Sequence, residues 1–140
     1  MLGSQIIQVV RTIALEPSGV RSVWYLPDGS SVHAIEDNPI APGVYFLRPD
    51  ETGKFRNWVI EDEDGTRRGG RNPHTGAHRW DVEVHVGNKL ENTDGCTCPG
   101  LFATADGVGY SRKALRHMRQ VLQRDDEDPP IWVLNIRGLL

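Results

Sequence analysis

At 140 residues the chain is long enough to bury one core without disulfide or metal staples, and 38% hydrophobic against 25% charged residues suits a soluble globular protein. A net charge of −3 argues against a protein built to grip nucleic-acid phosphates, because the basic residues are dispersed apart from "TRRGGR" and the 111–124 segment. No apolar run nears the roughly 20 residues a membrane-crossing helix needs, and "MLGSQIIQVVRTIALEPSG" has neither the basic leader nor the cleavage site of a signal peptide. The expectation is a single domain over residues 1–140, made in the cytoplasm, with no nucleic-acid partner and no membrane span.

Fifteen glycines and nine prolines favour short strands joined by turns. In chain order, "IIQVVRTIAL" is a strand candidate, and "VRSVWYL" follows it. Pro27-Asp28-Gly29 then supplies turn residues, so "SVHAIE" forms a hairpin with the strand before it. "NPIAPG" holds two prolines and cannot be a central strand. "VYFLR" and "KFRNWVIE" make the next pair. The polar, glycine-rich stretch 61–78, "EDEDGTRRGGRNPHTGAH", is long for a connection and is a candidate lid.

"RWDVEVHV" alternates cleanly: Trp80, Val82, Val84 and Val86 on one face, Arg79, Asp81, Glu83 and His85 on the other. A loop then leads through Gly95 to "CTCP", a short strand. Ser111–Arg124 is predicted to be a helix, with Ser111 as N-cap and an apolar stripe of Ala114, Leu115, Met118, Val121 and Leu122. Pro129 and Pro130 bar its continuation, and "IWVLNIR" is a last strand. The fold class is therefore mainly β with some α: a compact mixed or antiparallel sheet, or a barrel-like domain, with one packed helix.

Chemistry concentrates between Val84 and Pro99. His85 ends a strand on its polar face, and Cys96 returns behind Gly95 after a nine-residue excursion. A histidine beside a thiol favours the nucleophilic thiolate. Gly95 permits a tight turn whose amide groups near Cys96 would face a developing oxyanion, and Glu83 or Asp81 would orient the imidazole. A second reading joins Cys96, Cys98, His85 and either His74 or His78 in a zinc site, although Cys-x-Cys is tighter than the usual zinc knuckle. A third is a polar loop with unreactive thiols, Cys98 being a small core residue. Composition and spacing leave all three open. They do speak against a Cys96–Cys98 disulfide, since strand neighbours two apart are poorly placed for one.

The segments "AIEDNPIAPGVYFL", "VEVHVGNKLENTDGC" and "GYSRKALRHM", in this order, resemble the DUF5675 family, which is frequent in phages and mobile elements. The matching residues are Glu36, Asp37, Pro42, Gly43 and Tyr45; His85, Gly87 and Asn88; Thr93, Gly95 and Cys96; and Ser111 and Ala114 in the helix. That family is in turn similar to the L,D-transpeptidase (YkuD-like) group. The resemblance implies a β-rich fold and a cofactor-free, metal-free catalytic site. In it Cys96 is the nucleophile, His85 the general base, Thr93 the serine/threonine of the motif, and Gly95 part of the oxyanion site. Asn88, Gly87, Glu83 and Asp94 would contact substrate. The implied partner is a peptidoglycan stem peptide, reached from a virion or at the cell wall. The alternative is a non-enzymatic module contacting other phage-particle proteins. Thr97-Cys98 replaces the apolar-arginine pair that follows the transpeptidase cysteine, so the substrate carboxylate would be held differently.

Overall fold

The computed structural model describes residues 6–49, 58–62, 70–71, 78–79, 82–93, 95–123 and 131–138. Its strands are β1 (Ile6–Leu15), β2 (Gly19–Tyr25), β3 (Ser31–Asp37), β4 (Gly43–Pro49), β5 (Trp58–Asp62), β6 (Gly70–Arg71) and β7 (His78–Arg79). They continue with β8 (Glu83–Val84), β9 (Thr97–Gly100), β10 (Phe102–Ala103), β11 (Val108–Gly109) and β12 (Trp132–Arg137). One α-helix, α1 (Ser111–Leu122), and a 3₁₀ turn at Leu90–Asn92 complete the described elements. The protein is mainly β with one helix. No helix among the described residues is long and apolar enough to cross a membrane.

Eight strands close into a barrel in the order β1-β12-β4-β5-β8-β9-β3-β2. Neighbours are antiparallel except β1 with β12 and β8 with β9, which run parallel. Alternation sends Ile7, Val9, Trp24, Val32, Ala34, Leu47, Ile60, Val84 and Leu134 into one core, where Ala114, Leu115, Met118 and Leu122 of α1 join them. Each large aliphatic or aromatic side chain fully removed from water there contributes about 1.5–3 kcal/mol. The indole of Trp132 donates to the carbonyl of Leu122 at 3.0 Å, satisfying one of the orphan carbonyls at the helix C-terminus.

The barrel also holds an ion pair. Arg11 meets Glu36 through two bonds, Nε to Oε1 at 3.2 Å and Nη2 to Oε2 at 2.9 Å, with the residues only 2% and 4% exposed. Glu36 lies opposite Thr97 on β9, so this pair braces the wall just behind the cysteines. Asp37 beside it accepts a hydrogen bond from the Ser18 hydroxyl. The Tyr45 hydroxyl donates to the carbonyl of Ala41 at 2.6 Å, closing the Pro42-Gly43 step. The Glu-Asp and Pro-Gly-x-Tyr pieces of the motif thus work inside the scaffold.

A smaller apolar cluster forms on the outside of the wall, where Leu15, Ile35, Cys98 and Val108 pack with Leu90. The 3₁₀ turn and the β10–β11 hairpin supply Leu90 and Val108 to it, and the sequence pattern did not reveal that hairpin.

Three expectations need correction. The strand over "RWDVEVHV" is interrupted: Arg79 pairs with Gly70 in the β6–β7 ladder, and only Glu83 and Val84 belong to β8. Trp80 and Asp81 lie outside the described residues. Val86 is exposed rather than in the core, because the chain leaves the sheet after His85, whose N–H bonds the carbonyl of Thr97 at 3.0 Å. The stretch 61–78 is not a structureless loop, since its ends belong to β5 and β7 and Gly70–Arg71 forms β6; its remainder lies outside the described residues. Finally, Ser111 is the first helical residue rather than the N-cap. Tyr110 takes the cap position in the left-handed conformation (φ 58°, ψ 49°).

Candidate functional site

The parallel contact between β8 and β9 builds the site. Val84, opposite Thr97, points into the barrel, so the next residue, His85, projects from the outer face. Cys98, opposite Ile35, lies on the outer face too and is fully buried in the external cluster. Cys96 precedes β9 and is half-buried.

Both thiols meet one imidazole. His85 hydrogen-bonds the thiol of Cys96, and its Nδ1 lies 3.6 Å from Cys98 Sγ. The same Nδ1 is 2.8 Å from the carbonyl oxygen of Val86, which can only accept, so Nδ1 carries a proton. These partners, Cys96 first and Cys98 second, push the His85 pKa from 6.5 up to about 11 against the opposing cost of burial. At neutral pH the ring is an imidazolium, with both cysteine sulfurs among its partners.

Thr93 shapes the backbone at Cys96. Its Oγ1 accepts the Cys96 N–H at 3.0 Å and donates to the Cys96 carbonyl at 2.6 Å, clamping the 93–96 turn. Gly95 sits inside that turn at φ 78°, where a side chain would be strained. The clamp corrects one expectation: the Cys96 amide is already bound by Thr93 and is not free for an oxyanion. Thr93 is itself tied to the preceding turn, its N–H bonding the carbonyl of Leu90 at 3.0 Å.

Gly87 and Asn88, expected to touch substrate, hold the loop to the helix instead. The Gly87 N–H donates to Ser111 Oγ at 3.0 Å, and Asn88 Oδ1 accepts the Ser111 N–H at 3.2 Å. Asn92 Oδ1 accepts from the backbone of Asn88 at 3.2 Å and of Lys89 at 3.1 Å. A Cβ on Gly87 would lie 2.7 Å from Cys98 Sγ, so glycine there lets the loop approach the buried sulfur. Glu83 is half-buried on the same side of β8 as His85, and Asp94 lies outside the described residues.

Residue-level reading therefore found His85, Cys96, Gly95 and Thr93 in one place, but underrated Cys98 and misplaced the duty of Ser111. The available signal for Cys98 was its parity with Cys96, which puts both on one side of an extended segment. For zinc, no group of three or more histidine, cysteine or acidic side chains among the described residues is arranged to hold a metal ion. His74 lies outside the described residues.

No family model, curated protein or solved structure matches the chain.

Proposed function

We propose that the protein is a cysteine-dependent enzyme that cleaves or transfers peptide bonds in cell-wall stem peptides, encoded by a phage or mobile element. The observation that carries the reading is the His85 imidazole hydrogen-bonded to the half-exposed thiol of Cys96. The substrate class comes from the resemblance of "HVGN" and "TDGC" to DUF5675 and, through it, to L,D-transpeptidases.

In this reading the Cys96 sulfur attacks a peptide carbonyl carbon and forms a C–S bond, with the carbonyl electrons moving onto oxygen. Collapse breaks the C–N bond, and the leaving amine takes the proton from the His85 imidazolium. The neutral imidazole then removes a proton from the acceptor, which attacks the thioacyl carbon and releases Cys96. Water as acceptor gives hydrolysis; an amine gives a cross-link. Because His85 begins as the imidazolium, it acts first as acid and only then as base. The buried Thr93 clamp holds the sulfur in position, and the oxyanion needs a donor other than the Cys96 amide.

That occupied amide favours a second reading, in which the fold is kept as a non-enzymatic module of a phage-like particle. Incubating the protein with purified sacculi and resolving the released muropeptides separates the two. The enzyme reading expects new or lost cross-linked species with wild type and none with Cys96→Ala. An unchanged profile with folded wild type, or equal activity from Cys96→Ala, overturns it in favour of the module.

A further inference from the structure

Two sulfurs share one histidine here, and the peptide chemistry above uses only one of them. Cys98 is fully buried, whereas Cys96 is partly open to solvent. An isolated core thiol would have no reason to lie 3.6 Å from a nitrogen of the same imidazole ring that hydrogen-bonds the Cys96 thiol. The spacing objection to a bond between the two cysteines also weakens, since it assumed that both lie in one regular strand. The chain instead turns at Gly95, with Cys96 clamped by Thr93, and joins the ladder only at Thr97, opposite Glu36. Glycine at 87 lets the loop close directly onto Cys98 Sγ, where a Cβ would lie only 2.7 Å from the sulfur.

We infer that Cys96 and Cys98 form a redox-active dithiol, in which peroxide oxidises Cys96 and Cys98 resolves it into a reversible intramolecular disulfide. The Cys96 thiolate attacks one oxygen of hydrogen peroxide, and the O–O bond breaks to give the sulfenic acid. The departing hydroxide takes the His85 proton and becomes water. The neutral imidazole next removes the Cys98 proton. The Cys98 sulfur attacks Cys96 Sγ, the S–O bond breaks, and the second hydroxide takes the proton back from His85 as it becomes water. Both sulfurs are oxidised, both peroxide oxygens are reduced to water, and His85 ends neutral. The disulfide takes Cys96 out of service before it reaches the irreversible sulfinic acid. This chemistry needs no peptide substrate, so its test stands or falls separately from the cell-wall reading.

The full chain, reduced and then exposed to hydrogen peroxide, is quenched by alkylation and analysed by intact mass and peptide mapping. Wild type is expected to lose two hydrogens, to lose both free thiols together, and to regain both with dithiothreitol. In Cys98→Ala, Cys96 is expected to proceed to sulfinic acid, with recovery by reductant at least about tenfold lower than in wild type. Should Cys98→Ala fold poorly by circular dichroism, the wild-type map decides alone. Sulfinic acid on Cys96 with Cys98 still free, or a Cys96 disulfide linking two molecules, overturns the inference.

Discussion

Replacing Thr93 by valine removes the hydroxyl that clamps Cys96 while nearly conserving volume. The structure gives that hydroxyl two bonds, 3.0 Å from the Cys96 nitrogen and 2.6 Å to the Cys96 oxygen, at a residue only 4% exposed. Valine strands one amide and one carbonyl, and each stranded buried group costs about 1–3 kcal/mol. Cys96 is half-buried, so water repairs part of this, and the expected loss is about 2–4 kcal/mol. Thr93→Ser is the control: it keeps both bonds and loses one methyl group, about 0.8 kcal/mol. Urea denaturation followed by circular dichroism reads both values, provided the slope m is the same for the three proteins. Alkylation of Cys96 in the folded protein reports whether the turn still presents the sulfur to His85, and the valine variant is expected to be slower than the serine variant. If Thr93→Val lies within about 0.5 kcal/mol of Thr93→Ser and alkylates at the same rate, the clamp is not what holds the Cys96 sulfur in place.

Two further outcomes follow from the same geometry. Gly87→Ala puts a Cβ 2.7 Å from Cys98 Sγ and 3.0 Å from Asn92 Cβ, an overpacking expected to cost about 1–3 kcal/mol; adding Cys98→Ala should recover at least about 1 kcal/mol of it, and simple additivity in urea melts would show that the sulfur is not the obstacle. His85 keeps its proton as pH rises past its ordinary 6.5 and loses it only near 11, so its positive charge stands beside Cys96 throughout the neutral range. Replacing it by glutamine should slow Cys96 alkylation at pH 7 by roughly ten- to a hundredfold, the worth of a charge-assisted bond; the two rates should converge as pH approaches 11, and equal rates at pH 7 would remove His85 from the chemistry.

The strands were legible where one face is buried and the other is not. Ile6–Leu15 and Trp132–Arg137 carry period-two patterns with β-branched residues, and the structure places strands there. The apolar stripe of the helix was equally plain: Ala114, Leu115, Met118 and Leu122 are buried, and Val121 is partly buried against the core. Closure of the barrel was not legible, because it depends on two parallel contacts between segments far apart in sequence. Neither β1 beside β12 nor β8 beside β9 leaves a local mark. "RWDVEVHV" misled for a related reason: alternation reports which faces are wet and dry, but not where a chain leaves its neighbour. Ser111 read as an N-cap because serine usually is one, yet its hydroxyl accepts a hydrogen bond from the loop residue Gly87, and the cap falls to Tyr110.

The motif itself divides by what its polar atoms touch. Glu36 binds Arg11, Tyr45 closes onto Ala41, Asn88 and Gly87 hold Ser111, Asn92 gathers two amides, and Thr93 clamps Cys96. Each of these bonds ends on the protein's own backbone or a buried side chain, so none needs a ligand to account for it. His85 and the two sulfurs differ in kind. A buried scaffold gains little from an imidazolium whose burial opposes its charge, and an apolar residue in place of Cys98 would pack against Ile35 and Val108 without that conflict. The charge persists because the thiols favour it, and the half-exposed Cys96 gives it an outlet to solvent. Within this constellation, then, the scaffold accounts for the motif's amides and hydroxyls, and one histidine and a pair of cysteines are left to carry the proposed chemistry.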